Sequence, residues 1–357
     1  MNLIEFRKLV SPKVIAANWT EAISNQIPYL GETLFPSKQK AGLDLKWIKG
    51  AKGLPVSLMP SAFDAKATFR SREGFKFTET EMPFFREGFK IKEKDRQEIL
   101  RIREANDPYM NDALNRVFDD AANLLDGALV VPERMIMQLL FPENGDAGIT
   151  IEANGVSYVY DYDPGDTWKT SNYMEISSSY TWDKPEAADP LGDVQRAQDK
   201  IKAQGGVGTI LAMNNNTFKL FRAIKQIKDL FLTINGQALG VLTDPQIVSV
   251  LKSTLQLDGI VVYDKQYKDE DGVTHSFVPD GYVAVLPAGP LGNTWRGTTP
   301  EEADLMGSGQ ADVAVVNQGI AITQIVDAHP VNINTFASEI VLPSFERMNE
   351  VAVIKVK

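Results

Sequence analysis

Between Asp107 and Phe141 the chain carries its longest helical pattern, DPYMNDALNRVFDDAANLLDGALVVPERMIMQLLF. Asp107 is a helix-capping residue type, and Pro108 suits the first helical position, where its missing N–H costs nothing. Leu114, Val117, Phe118, Ala121, Leu124, Leu125, Ala128 and Leu129 recur at three- and four-residue spacing, which is one face of a helix. Asn111, Asp112, Asn115, Arg116, Asp119, Asp120 and Asn123 occupy the other faces. Pro132 should end or kink the helix near Val131. A helix over 108–131 spans roughly 36 Å at ~1.5 Å per residue, about the width of a small domain. Everything else must pack around such a rod.

What precedes it cannot fold alone. Residues 1–42 mix short helical hints with Pro28, Gly31 and Pro36 and read as an extended arm that needs other surfaces. In 43–95, Leu43, Leu45 and Trp47 alternate with Asp44 and Lys46. Phe63, Ala65, Ala67, Phe69, Phe75 and Phe77 then fall on one side of a two-residue repeat, with Asp64, Lys66, Thr68, Arg70, Arg72 and Lys76 on the other. That is strand chemistry. Arg72-Glu-Gly-Phe-Lys76 recurs as Arg86-Glu-Gly-Phe-Lys90, which marks two similar strand starts in a long, bent β-hairpin. An isolated two-stranded ribbon cannot bury its aromatic face. The segment carries 11 Lys+Arg against 8 Asp+Glu, net +3, on a chain of net charge −10. A mildly basic arm on an acidic body suits docking on another copy of that body.

After the rod, Gly148–Tyr162 reads as a hairpin turned by Asn154-Gly155. Residues 163–192, rich in Pro, Gly, Ser and Asp, suggest a domain boundary. A mixed α and β region follows: a polar helix over 193–204 and a short strand over 209–213. Next come a helix capped near Asn214 with Phe218, Phe221, Ile224, Ile227 and Leu230 inward, and a helix over 245–255. Strands over 259–263 and 281–286 flank the turn Asp269-Glu-Asp-Gly272. Residues 287–310 read as a long loop. The end returns to β at 312–316, 320–326 and 351–356, and the final strand should rejoin the first domain's sheet.

Catalytic signatures are missing. There are no cysteines and two isolated histidines, His275 and His329, both read as structural. No HExxH, phosphate-loop or Gly-x-Ser-x-Gly motif occurs, and Gly205-Gly-Val-Gly208 precedes a strand where a phosphate loop follows one. Asp269–Gly272 lacks the later Glu of a calcium loop. No cofactor, metal site or catalytic residue is assigned. The acidic charge argues against broad nucleic-acid binding, and no apolar run is long enough to span a membrane. A chain whose arm and ribbon need neighbours points to a symmetric assembly.

Four stretches carry a family resemblance: Tyr29-Leu-Gly-Glu-Thr-Leu-Phe-Pro36, Leu43-Asp-Leu-Lys-Trp-Ile48, Ser61-Ala-Phe-Asp-Ala-Lys66 and Arg86-Glu-Gly-Phe-Lys90. Across about residues 29–140 the sequence resembles a tailed-phage major capsid protein of the lambda type, the phage capsid protein E family. The resemblance implies an α+β, Hong Kong 97-type major capsid fold. Its parts would be an N-arm (1–42), an extended E-loop β-hairpin (43–95), a P-domain (96–189) with the spine helix at 108–131, an A-domain (190–320), and a C-terminal return to the P-domain (321–357). It implies a non-enzymatic protein that assembles as hexamers and pentamers into an icosahedral head around double-stranded DNA, without reading its sequence and without a membrane. The virion is its location, after assembly in the host bacterial cytoplasm. No scaffolding segment precedes the arm, so a separate scaffold protein is expected beside the portal and a decoration protein. Some relatives crosslink a loop lysine to a neighbour's asparagine; nothing singles out one lysine between Lys46 and Lys94 for that role. The candidate inter-subunit contacts are Trp47, Phe63, Phe69, Arg70, Arg72, Phe75, Phe77, Arg86 and Phe89 on the ribbon, with Asp119 and Asp120 on the spine as receivers. An encapsulin-like compartment and a soluble acidic hydrolase are the alternatives.

Overall fold

The computed structural model describes residues 3–23, 28–49, 76–95, 97, 110–153, 155–235, 243–316 and 319–357. Its elements begin with helices α1 (Leu3–Leu9), α2 (Pro12–Ile23) and α3 (Leu30–Leu34), then strands β1 (Ser37–Lys40), β2 (Asp44–Lys49), β3 (Lys76–Glu81) and β4 (Phe84–Ile91). The long helix α4 (Met110–Leu140) leads to β5 (Gly148–Ala153), β6 (Val156–Asp161), α5 (Thr167–Asn172), β7 (Tyr173–Glu175) and α6 (Pro190–Ala203). Then come β8 (Ile210–Met213), α7 (Asn215–Ala223), α8 (Lys225–Asn235), α9 (Asp244–Leu255), β9 (Gly259–Val262), β10 (Gln266–Lys268), β11 (Thr274–Ser276) and β12 (Tyr282–Leu286). The chain closes with β13 (Asn293–Gly297), β14 (Asp312–Val316), β15 (Ile320–Val326), β16 (Ile333–Ser344) and β17 (Ala352–Lys355). Two compact units result. One takes residues 1–45, 80–133 and 293–344; the other takes 46–79, 134–292 and 345–357.

The first unit is built on β16. Strands β14, β15 and β16 run antiparallel in order. The other edge of β16 is shared, by β4 along Ile333–Ile340 and by β13 along Ile340–Ser344. Strand β1 then adds in parallel to β13. Ala121, Leu125 and Leu129, four residues apart on α4, pack with Ile15 and Trp19 of α2 against Val316, Ile320, Ile322 and Ala337 of the sheet. Each Leu, Ile or Val among them, fully buried, contributes about 1.5–3 kcal/mol.

The second unit centres on β12, Tyr-Val-Ala-Val-Leu, buried throughout and flanked by β8 and β17; β9 and β7 complete the sheet in the order β7-β17-β12-β8-β9. A continuous apolar run is what a strand covered on both faces requires. Val194, Ala197 and Ile201 of α6, Phe218 and Phe221 of α7, and Ile247 and Leu251 of α9 supply cover. Side-chain caps set two helix starts: Asp189 accepts from Gly192 N–H and Asn214 from Thr217 N–H.

Several expectations change. Helix α4 does not stop at Val131; it runs through Pro132 to Leu140. A mid-helix proline costs about 3 kcal/mol, and the burial of Leu129, Met135, Ile136, Met137, Leu139 and Leu140 around it outweighs that. The described residues of the N-terminal segment are not an extended arm: α1 is tied to its own unit through Arg7 and the adjoining Val10, α2 packs on the same unit, and β1 joins its sheet. Among the described residues of the ribbon segment β2 and β3 pair with each other, while β4, carrying the second Arg-Glu-Gly-Phe-Lys copy, pairs with β16. The first copy falls largely outside the described residues. Gly88 explains part of the motif. A Cβ there would lie 2.7 Å from the Thr335 carbonyl oxygen, so only glycine permits this approach of β4 to β16.

The segment 163–192 is no boundary; it lies inside the second unit. Trp168, fully buried, donates its indole N–H to the carbonyls of Met348 and Val351, and Trp182 donates to Asp193 at 2.8 Å. The 218–230 pattern is two helices meeting at Ile224. The 287–310 loop holds β13, whose Thr294 and Arg296 are polar yet buried, which hides a strand from periodicity. The last strand joins the second unit's sheet between β7 and β12, and not the sheet of the first.

Candidate assembly surfaces

The N-terminal segment is tied to the first unit by side chains that composition does not single out. The Trp19 indole donates to Asp126 Oδ1 at 2.9 Å, and Gly31 N–H donates to Glu133 Oε2 at 2.8 Å. Arg7 pairs with Asp312, and Thr294 Oγ1 donates to the Phe35 carbonyl at 2.9 Å. Glu133 continues the stripe 121-125-129 by one more turn. A carboxylate on an apolar stripe is a readable sign of a buried polar partner, here the start of α3. Burial, reinforced by the charges of Asp126, Glu133 and Glu32, pushes the Tyr29 phenol up to about 12 and keeps it neutral.

The sheet holds two buried charge clusters. Arg296 Nη1 donates to Glu339 Oε2 at 2.7 Å, with both side chains essentially inaccessible. Burial pushes the Glu339 carboxyl up to about 7 against the opposing pull of Arg296. Gly319, with φ +152°, lies over Arg296, and a Cβ there would come within 2.9 Å of the arginine's own Cβ. Glu301 is also buried, pairs with Arg86, and accepts from Ser338 Oγ at 2.9 Å. Arg86 is marked in sequence by the repeated Arg-Glu-Gly-Phe-Lys motif, but Arg296, Glu301 and Glu339 are not, because nothing local marks them as neighbours.

The contact candidates separate into three groups. Trp47 is buried beside Tyr162, ring centroids 5.5 Å apart; Arg86 is held by Glu301; and half-buried Phe89 packs on Ala337, Ile333 and Val117. These three find partners within the chain. Asp119 and Asp120 are exposed on the outward face of α4. Phe63, Phe69, Arg70, Arg72 and Phe75 lie outside the described residues, and Phe77 belongs to β3 with its side chain undescribed. Among the described residues no group of three or more His, Asp or Glu is arranged to hold a metal ion, and no helix is long and apolar enough to cross a membrane. His275 is paired with Asp269 at 2.7 Å, and the Asp269 carboxylate also accepts from the N–H groups of Asp271 and Val273. The acidic run is therefore a hairpin turn.

The sequence model for phage major capsid protein E matches residues 12–356. The chain belongs to the phage major capsid protein E family. Solved structures share its fold, two of them as follows. One is a phage-related protein from Bordetella bronchiseptica RB50, 14% identical, covering 95% of this chain and 96% of its own, with a TM-score of 0.55. The other is the putative capsid protein of an E. coli CFT073 prophage, 15% identical, covering 79% and 80%, with a TM-score of 0.53. No curated protein sequence matches. This is a phage major capsid protein of Hong Kong 97-type fold, a structural component of the virion head.

Proposed function

We propose that copies of this capsid protein assemble as hexamers and pentamers into the icosahedral head of a tailed phage, inside the host bacterium and around double-stranded DNA. The observation that carries the reading is the family match over nearly the whole length of a chain with two compact units. In this reading the first unit, with α4 as spine, is the peripheral domain, and the second, with the β12 sheet, is the axial domain meeting around the symmetry axes. The β2–β3 ribbon is the base of the extended loop that reaches a neighbouring subunit, since these strands pair only with one another among the described residues. Phe63, Phe69, Arg70, Arg72, Phe75 and Phe77 are the contacts it would bring, and Asp119 and Asp120 receive its basic side chains. A scaffold protein, a portal and a decoration protein are the expected companions.

The test joins β2 directly to β3 by replacing residues 50–75 with a short Gly-Ser turn. The variant should remain folded by circular dichroism, and co-expression with its scaffold should yield no shells by negative-stain microscopy. Shells of normal yield would sink the loop assignment. A wild-type protein that stays monomeric by light scattering with scaffold present would sink the assembly reading itself.

A further inference from the structure

One cross-strand row of the first unit's sheet buries polar side chains at its centre. Asp312, Gln324, Thr335 and Phe89 are successive register partners across β14, β15, β16 and β4. Directly opposed residues on one face stand about 5 Å apart at Cβ. Gln324 and Thr335 are buried, at 0% and 1% exposure. Gln324 Nε2 donates to the Val10 carbonyl at the end of α1, 3.1 Å away. A carbonyl only accepts, so the amide nitrogen must face Val10 and Gln324 Oε1 must face away. That oxygen has no hydrogen-bond partner; nor does Thr335 Oγ1, nor the buried Nε of Arg7, whose guanidinium reaches the same row through Asp312.

The three orphans are complementary: a donor, an acceptor, and a hydroxyl that is both. Apolar clusters enclose them. Val10, Ile91, Val117 and Ile333 form one, and Ile322 and Ala337 belong to the other. Buried polar groups of this kind carry a cost unless something satisfies them. A water molecule needs two to four polar partners and little room. We infer that the row beneath α1 is a buried water site. The water donates to Gln324 Oε1, exchanges a hydrogen bond with Thr335 Oγ1 and accepts from Arg7 Nε. The end of helix α1 is thereby held to the sheet through a hydrated contact beside the apolar one made by Val10.

Thr335→Val, which keeps shape and removes the hydroxyl, gives the sign. With water in the row, the substitution strands that water and raises the unfolding equilibrium constant of the full-length chain on the order of tenfold. In a dry row the hydroxyl has no partner, so valine leaves stability unchanged or improves it, and that result overturns the inference. Second, a crystallographic or electron-microscopy map fine enough for ordered waters should show density within hydrogen-bonding distance of both Gln324 Oε1 and Thr335 Oγ1. An empty row refutes the site independently of any variant.

Discussion

The Arg296–Glu339 pair gives the sharpest energetic test. Both side chains are withdrawn from water, at 3% and 1% exposure, and a single 2.7 Å hydrogen bond joins them. Removing one partner of such a pair costs about 3–5 kcal/mol, because a charge is left buried alone, whereas replacing both by apolar residues is neutral or stabilising. Glu339→Leu strands a guanidinium that cannot lose its proton, and because leucine does not titrate its cost should be larger at pH 5 than at pH 8. Arg296→Met strands a carboxylate that can escape by taking up a proton, so its cost should shrink as pH falls. The wild type carries the same signature. The folded Glu339 carboxyl is raised from 4.5 to about 7, so the native state holds its proton more tightly than the unfolded chain. That contribution is fully present below pH ~4.5 and is lost as pH rises through ~7, about 3 kcal/mol in all. With an unfolding entropy of ~2.1 cal/mol/K per residue, a 4 kcal/mol loss lowers Tm by about 5 °C for a chain of this length. Urea and thermal titrations of both single variants and the double variant, at pH 5 and 8, measure all of this. If the double variant loses as much as the two singles added together, the pair is not coupled and the reasoning fails.

Two further outcomes follow from packing and charge. Gly88→Ala places a methyl against the Thr335 carbonyl and the Phe336 Cβ; it should cost about 1–3 kcal/mol by urea titration, and an unchanged midpoint would remove the steric account of the Arg-Glu-Gly-Phe-Lys motif. Reversing Asp119 and Asp120 to lysine, both exposed on α4, should lower shell yield by sedimentation while leaving the subunit's Tm within about 1 °C, since exposed single-site changes lie within ~0.5 kcal/mol. Full shell yield would show that these carboxylates receive no neighbour.

Local patterning carried far along this chain where one rule dominates. The spine helix is legible because Ala121, Leu125 and Leu129 repeat at the helical period. The hairpin at 148–161 is legible because alternation brackets Asn154-Gly155, with Gly155 at φ +77°. The capping of α7 by Asn214 reads directly from residue type. What failed failed for a common reason. Strand β13 carries buried Thr294 and Arg296, and β16 is buried over nearly all of its 12 residues while mixing Thr335, Ser338 and Glu339 with Ile, Val and Leu. Their polar atoms are matched by residues tens to hundreds of positions away, so no local window predicts that they can be buried. The N-terminal helices looked unanchored because their anchors, Asp126, Glu133, Asp312 and Gln324, lie far along the chain.

From its residues alone, then, this chain determines a long amphipathic spine, a ribbon that cannot stand by itself, and the family to which both belong. These depend on periodicity, turn chemistry and motif order, which are local properties. Tertiary structure decided where the spine ends, which strands share a sheet, and that the N-terminal helices pack on their own subunit. Those outcomes turn on burial summed over distant partners. Apolar cover on both sides of Pro132 overrides a local penalty of about 3 kcal/mol, and a buried Arg296 is tolerable only because folding brings Glu339 within 2.7 Å of it.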